Sequence, residues 1–88
     1  MDEVRLKRLR MRSWRRGTKE MDLILGPFAD ARLPTLAPDE LDLYEALLAE
    51  DDQALYGWIT RGATPPERYA GLVAEIRRAA GASGPRTA

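Results

Sequence analysis

Apolar residues recur at three- and four-residue intervals along most of the chain. Met21, Ile24, Leu25 and Phe28 form one such stripe, and Leu41, Tyr44, Leu47 and Leu48 form another. Leu55, Trp58 and Ile59 make a shorter third, and Tyr69, Leu72, Val73 and Ile76 a fourth. Each is the pattern of a half-buried helix. The first segment, Glu3 to Trp14, has good helix formers and no breaker, but Val4, Leu6, Leu9 and Met11 are spread thinly among arginines, and Val4 and Leu9 share a face only loosely. No alternating β-branched run occurs, so the pattern predicts no sheet. The expected fold class is all-α, a compact bundle of about five short helices.

Start and stop signals divide these stripes. Gly17 interrupts the first segment, and the second runs from Thr18 to about Ala31. Gly26-Pro27 lies inside it. Proline removes a backbone donor and crowds the preceding turn, so this helix is expected to kink or end near Leu25, with at least two turns before Gly26 and a kinked continuation beyond it as the alternative. Residues 32–37 read as a connector. Pro38 suits a first helical position, followed by Asp39 and Glu40 at the positive helix end. Glu50-Asp51-Asp52 closes that third helix, and one of the aspartates can cap the fourth. Gly62 is the fourth helix's left-handed stop. Thr64-Pro65-Pro66-Glu67 reads as a T-x-x-E capping box for the fifth. Arg77 and Arg78 suit its negative end, and Gly81 stops it. One domain over residues 1–81 is expected, with 82–88 as a flexible tail.

Composition narrows the chemistry. At 88 residues the chain supports one small core, burying roughly 60% of the surface an unfolded chain exposes. Without cysteine there is no disulfide, thiol nucleophile or thiolate metal site, and without histidine no imidazole base or ligand. A zinc site would need carboxylates alone, and no metal site is expected. No apolar run approaches the ~18 residues of a membrane span, so no direct membrane insertion is expected. Asp2 and Glu3 argue against a mitochondrial transit peptide, which leaves a cytoplasmic protein as the expectation.

The net charge of zero conceals an asymmetry. Residues 1–19 carry Arg5, Lys7, Arg8, Arg10, Arg12, Arg15, Arg16 and Lys19 against only Asp2 and Glu3, an excess of +6 that leaves −6 for the remainder. This basic arm is a surface for phosphate or an acidic partner, or a solvated face whose arginines pair with the acidic bundle. A nucleic-acid module would show a more basic overall profile than the pI of about 6.3 found here, and no nucleic-acid motif is present.

Arg15-Arg16-Gly17-Thr18-Lys19-Glu20 is the most distinctive string. Gly17 permits an unusual dihedral or close backbone approach, and Arg16 offers a planar fork for a carboxylate or phosphate. The simpler alternative makes Gly17 a helix junction and Arg16–Glu20 a weak local ion pair. Asp51-Asp52 reads as a cap and a solvated corner rather than an acid pair or ion site. Trp58 is a core anchor. Trp14 either marks a binding surface or packs against the bundle. Ser13, Thr18 and Lys19 are close in sequence, but no oriented base accompanies them, so no catalytic residue is assigned.

Taken together, Arg15-Arg16-Gly17-x-x-Glu20-x-Asp22 resembles the R-R-G-x-x-E-x-D signature of the SdhE family of succinate dehydrogenase flavinylation factors. Pro27-Phe28 follows at the family's spacing. Asp51-Asp52-x-x-Leu55-x-x-Trp58-Ile59 resembles its D-D-x-x-L-x-x-W-[LI] segment, and Asp39-Glu40-Leu41 with Leu47-Leu48-x-Glu50 matches between them. The resemblance covers about residues 5–78. Thr18 stands where a large apolar residue is common, and Ala37 where a capping serine is common.

The resemblance implies a five-helix protein that is not itself an enzyme. Such a protein binds the flavoprotein subunit of succinate dehydrogenase, or in some members fumarate reductase, and promotes covalent attachment of FAD to a histidine there. Arg16, Gly17 and Glu20 would lie at that contact, with Arg15 and Asp22 supporting and Arg12 and Trp14 beside them. FAD would be held by the partner rather than stably by this chain, and a monomer is expected. The extended targeting region of mitochondrial members is absent, which implies a bacterial-type cytoplasmic member. Two other classes stand beside this reading: a helical adaptor or antitoxin-like protein, and a nucleic-acid module, each using the basic arm.

Overall fold

A computed structural model describes residues 3–83. Five helices follow in order: α1 (Glu3–Trp14), α2 (Lys19–Arg32), α3 (Pro38–Leu48), α4 (Asp52–Thr60) and α5 (Ala70–Ser83). Single 3-10 turns at Leu33–Thr35 and Glu67–Tyr69 join α2 to α3 and lead into α5. α1 lies along α2, and α5 packs on both α2 and α4.

The stripes read from the sequence converge on one core. Met21, Leu25, Phe28, Leu41, Tyr44, Leu47, Leu48, Leu55, Ile59, Tyr69, Val73 and Ile76 are all buried. Phe28 and Tyr44 meet as tilted rings with centroids 5.9 Å apart, as do Trp58 and Tyr69. An ion pair between Arg32 and Glu75, 3.4 Å long, ties α2 to α5 at the surface.

α1 shares its apolar residues differently from the expectation. Leu6, Leu9 and Ser13 face the core, whereas Val4 is 68% and Met11 43% exposed. At 100° per residue Val4 and Met11 fall on one stripe and Leu6, Leu9 and Ser13 on the opposite one. Ser13 is buried without penalty because its hydroxyl donates to the Leu9 carbonyl at 2.8 Å and shares a 2.6 Å hydrogen bond with the Tyr44 hydroxyl.

α2 continues through Gly26-Pro27 to Arg32, the continuation left open by the sequence, rather than ending near Leu25. An interior proline costs about 3 kcal/mol. The turn beyond it buries Phe28 and Ala29, with Leu33 following, and a buried Phe or Leu contributes roughly 1.5–3 kcal/mol each. Core burial therefore outweighs the break. Gly26 has a separate reason: a Cβ there would run into the Trp14 indole, which lies against the α2 backbone.

The caps agree with the sequence at three ends and differ at two. Asp51 caps α4, its Oδ2 accepting from the Gln53 and Ala54 amides at 3.0 and 3.2 Å. Pro38 opens α3, where Glu40 accepts from the Ala37 amide at 2.8 Å, and Ala37 has no side-chain oxygen to complete the box. Gly62 has φ +74° at the end of α4.

Thr64 does not cap α5. Thr64 and Pro65 each precede a proline, which disfavours helical backbone there, and Pro66 is itself extended at φ −53°, ψ 146°, so helical structure waits until Glu67. Gly81 does not stop α5, which runs to Ser83; in an alanine-rich turn one glycine costs only about 1 kcal/mol. The tail expected over 82–88 thus begins inside the helix, and residues 84–88 lie outside the described residues. Arg77 caps α4 rather than its own helix, donating to the Trp58 carbonyl at 2.7 Å and the Ala63 carbonyl at 3.2 Å.

Candidate functional site

The α1–α2 junction is a tight corner made by four consecutive residues. The Arg15 amide closes α1 on the Arg12 carbonyl. Gly17 then turns the chain at φ +106°, a conformation that L side chains rarely adopt. Asp52 Oδ2 would stand 3.6 Å from a Cβ at Gly17, an ordinary contact, so backbone conformation rather than lack of space demands glycine. Thr18 is extended and caps α2, its hydroxyl accepting from the Met21 amide at 3.3 Å. Asp22 reaches back across the turn and accepts from the Arg16 amide at 2.6 Å.

Arg16 points inward. Its Nε and Nη2 hold Asp52 Oδ1 at 2.9 and 2.7 Å, Nη1 donates to the Leu48 carbonyl at 2.6 Å, and Nη2 to the Glu50 carbonyl at 3.2 Å. Only 10% of the side chain is exposed. Leu48 and Glu50 stand at the end of α3, where helical carbonyls lack partners and a cation is favoured. Arg16 therefore caps α3 and clasps the α3–α4 corner to the α1–α2 corner. The local ion-pair reading is corrected, since the carboxylate on Arg16 is Asp52 rather than Glu20, and in this structure the fork is filled from within the chain. Tyr69 extends the clasp to the start of α5, its hydroxyl donating to Glu50 Oε2 at 2.9 Å.

The outward side of the corner carries Arg15, Gly17, Thr18, Lys19 and Glu20, all exposed. Glu20 makes no hydrogen bond or ion pair among the described residues. An open groove of about 570 Å³ runs from Thr18 and Glu20 past Asp52 to Gln53, Tyr56 and Arg61.

Arg12 lies 3.9 Å from Glu45, and Arg5 bridges Asp42 and Glu45 at 2.6 and 2.9 Å. Part of the basic arm thus pairs with the acidic bundle, as one of its two readings required. Trp14 follows the packing reading: it lies against Gly26 and donates to Asp30 at 3.4 Å, with 39% of its surface exposed. Behind the corner, burial pushes the Tyr44 phenol up to about 12, against the opposing pull of the Ser13 hydrogen bond and of Arg16 and Arg12.

The family resemblance groups Gly17, Glu20 and Asp22 but gives no place to Asp52 behind them. The signal was available in Asp51-Asp52: one aspartate is consumed as a cap, leaving the other for a cation. Among the described residues no cluster of three or more acidic side chains could hold a metal ion, and no helix is long and apolar enough to cross a membrane.

Fold and corner together define a small all-α domain that presents one rigid, charged helix junction. A family model described as flavinator of succinate dehydrogenase matches residues 7–80, and the chain belongs to that family. Among curated relatives, the mitochondrial succinate dehydrogenase assembly factor 2 of Komagataella phaffii is 38% identical over 71 residues, which cover 77% of this chain and 37% of that protein. Its counterpart in Candida glabrata is 42% identical over 65 residues, covering 70% and 42% respectively. The FAD assembly factor SdhE of Pseudomonas syringae pv. tomato is 40% identical over 63 residues, covering 72% of this chain and 74% of that one. The chain thus spans well under two thirds of the fungal relatives and most of the bacterial one. No solved structure matches.

Proposed function

We propose that this chain docks on the flavoprotein subunit of succinate dehydrogenase, or the related subunit of fumarate reductase, and promotes covalent attachment of FAD to a histidine there. The observation that carries this reading is the corner itself. In a member of the flavinator family, the R-G-x-x-E string folds into a turn locked from behind by Arg16 and Asp52, leaving Gly17 and Glu20 facing outward. Gly17 admits close approach of the partner's backbone, and Glu20 accepts its hydrogen bonds. Arg15, Arg12 and Trp14 flank the contact, while Arg16 and Asp22 hold its shape.

The chain acts by positioning rather than by chemistry of its own. It has no histidine, so the histidyl–flavin bond forms on the partner. Holding the partner's flavin and acceptor histidine in reacting geometry is worth several kcal/mol of a barrier. FAD remains the partner's, and this chain works beside it as a non-catalytic monomer in the cytoplasm. The match to bacterial relatives over most of their length supports that placement.

Deletion of the gene, followed by denaturing-gel fluorescence for covalent flavin, tests the reading. The flavoprotein band loses its fluorescence on deletion and regains it on complementation. An unchanged band would defeat the reading and return the basic arm to an adaptor role.

A further inference from the structure

The cations of α1 divide into two sets. Arg5 and Arg12 turn to acidic residues of α3, and Arg16 to Asp52. Lys7, Arg8, Arg10 and Arg15 have no acidic partner among the described residues, and Arg8 and Arg15 share the exposed stripe of Val4 and Met11. A shallow groove of about 340 Å³ lies here, lined by Arg8, Met11, Arg12, Arg15 and Arg16. Arg8 and Arg12 stand four residues apart on α1, an arrangement of like charges that disfavours the isolated helix, and Arg15 follows just past its end. Neither the repulsion nor the exposed Met11 serves the fold.

We propose that this outer face of α1 is a second docking strip that takes an acidic segment of the flavoprotein, with carboxylates on Arg8 and Arg15 and an apolar side chain on Met11. The inference rests on the function proposed above and adds the chemistry of the partner's surface. Arg8 and Arg15 are seven residues apart, about 10 Å along the helix axis. Two carboxylates one heptad apart on a facing helix match that spacing. The strip ends at Arg15 and Arg16, so it runs directly into the Gly17 corner and one partner can cover both. A polyanionic nucleic acid fits less well. The strip is short and carries Val4 and Met11 within it, and the rest of the chain has an excess of negative charge that repels a long polyanion. Charge of this kind steers encounter and is screened by salt.

The test is association of the full chain with purified flavoprotein subunit, measured by stopped flow at 50 and 300 mM NaCl. In wild type, association slows steeply with salt. The charge reversal Arg8→Glu/Arg15→Glu lowers affinity at least tenfold at 50 mM and flattens the salt dependence. Arg8→Gln/Arg15→Gln gives a smaller loss of the same sign, and Arg8→Lys/Arg15→Lys restores most of the rate. Both arginines are exposed, and circular dichroism of each variant checks that the fold is kept. Wild-type rates for the charge reversal at both salts would overturn the strip while leaving the corner and the proposed function standing. Absence of any binding by wild type would overturn the proposed function, and the strip with it. Tighter binding of a 20-base-pair duplex than of the flavoprotein, lost on charge reversal, would overturn the acidic-protein assignment.

Discussion

Replacing Arg16 by alanine separates a structural clasp from a partner contact. The substitution removes a side chain that holds Asp52 and the carbonyls of Leu48 and Glu50. Asp52 is about one-third exposed and regains water, so its loss counts for little. The Leu48 carbonyl belongs to a buried residue at the end of α3, and an unsatisfied buried acceptor costs about 1–3 kcal/mol. Losing the cation at the negative end of α3 adds roughly 0.3–1 kcal/mol. Destabilisation should therefore be about 1–4 kcal/mol. In a domain of this size each kcal/mol moves the melting temperature by about 4–8 °C, so a drop of roughly 5–30 °C is expected. Arg16→Lys keeps the charge but cannot serve three acceptors as a planar fork does, and should fall between the two. Thermal melts by circular dichroism measure both. Flavoprotein binding by Arg16→Ala should largely return at temperatures where the variant is folded. A melting temperature within 2 °C of wild type, with binding abolished, would refute the clasp and make Arg16 a direct contact.

Two further outcomes follow from the packing around the corner. Gly26→Ala forces the Trp14 indole off α2, so in a Trp58→Phe background Trp14 emission should shift to the red and stability fall by about 1–3 kcal/mol; an unchanged spectrum would contradict the packing. Tyr44 keeps its proton when folded up to about pH 12 and loses it near pH 10 when unfolded. Its contribution is complete below pH 10 and is lost as pH rises from 10 to 12, by up to about 2–3 kcal/mol. Urea unfolding at pH 9 and 11 should show a smaller alkaline loss for Tyr44→Phe than for wild type, and equal losses would contradict the burial of the phenol.

What was legible in the sequence was local or periodic. The stripes of α2 to α5, Asp51 as a cap, Pro38 as a first residue and Gly62 as a stop depend on near neighbours, and spacing reports them. The misreadings share a cause, which is tertiary context overriding a local rule. At Pro27, where the sequence left both an end and a continuation open, α2 continues because Phe28, Ala29 and Leu33 have a core to enter. Gly81 fails to end α5 because the alanines around it carry the helix on. Thr64 fails as a cap because two prolines hold the chain extended. Arg16 reads as an open fork until α3 and α4 bring Leu48, Glu50 and Asp52 against it, 32 to 36 residues away. Gly17, Glu20 and Asp22 were grouped by the family resemblance alone, and their division into outward and inward sides required the fold.

The central claim is that the Gly17 corner docks on the flavoprotein and thereby promotes covalent attachment of FAD. Purified flavoprotein lacking covalent flavin, incubated with FAD and either wild-type chain or Gly17→Val, tests it most directly. The valine is strained at φ +106°, by at least about 1–2 kcal/mol, while the helices on either side remain. In-gel flavin fluorescence over time should rise faster with wild-type chain than with FAD alone. It should stay at the FAD-alone rate with Gly17→Val, whose helical content by circular dichroism is unchanged. Equal acceleration by both chains, or none by either, would contradict the claim.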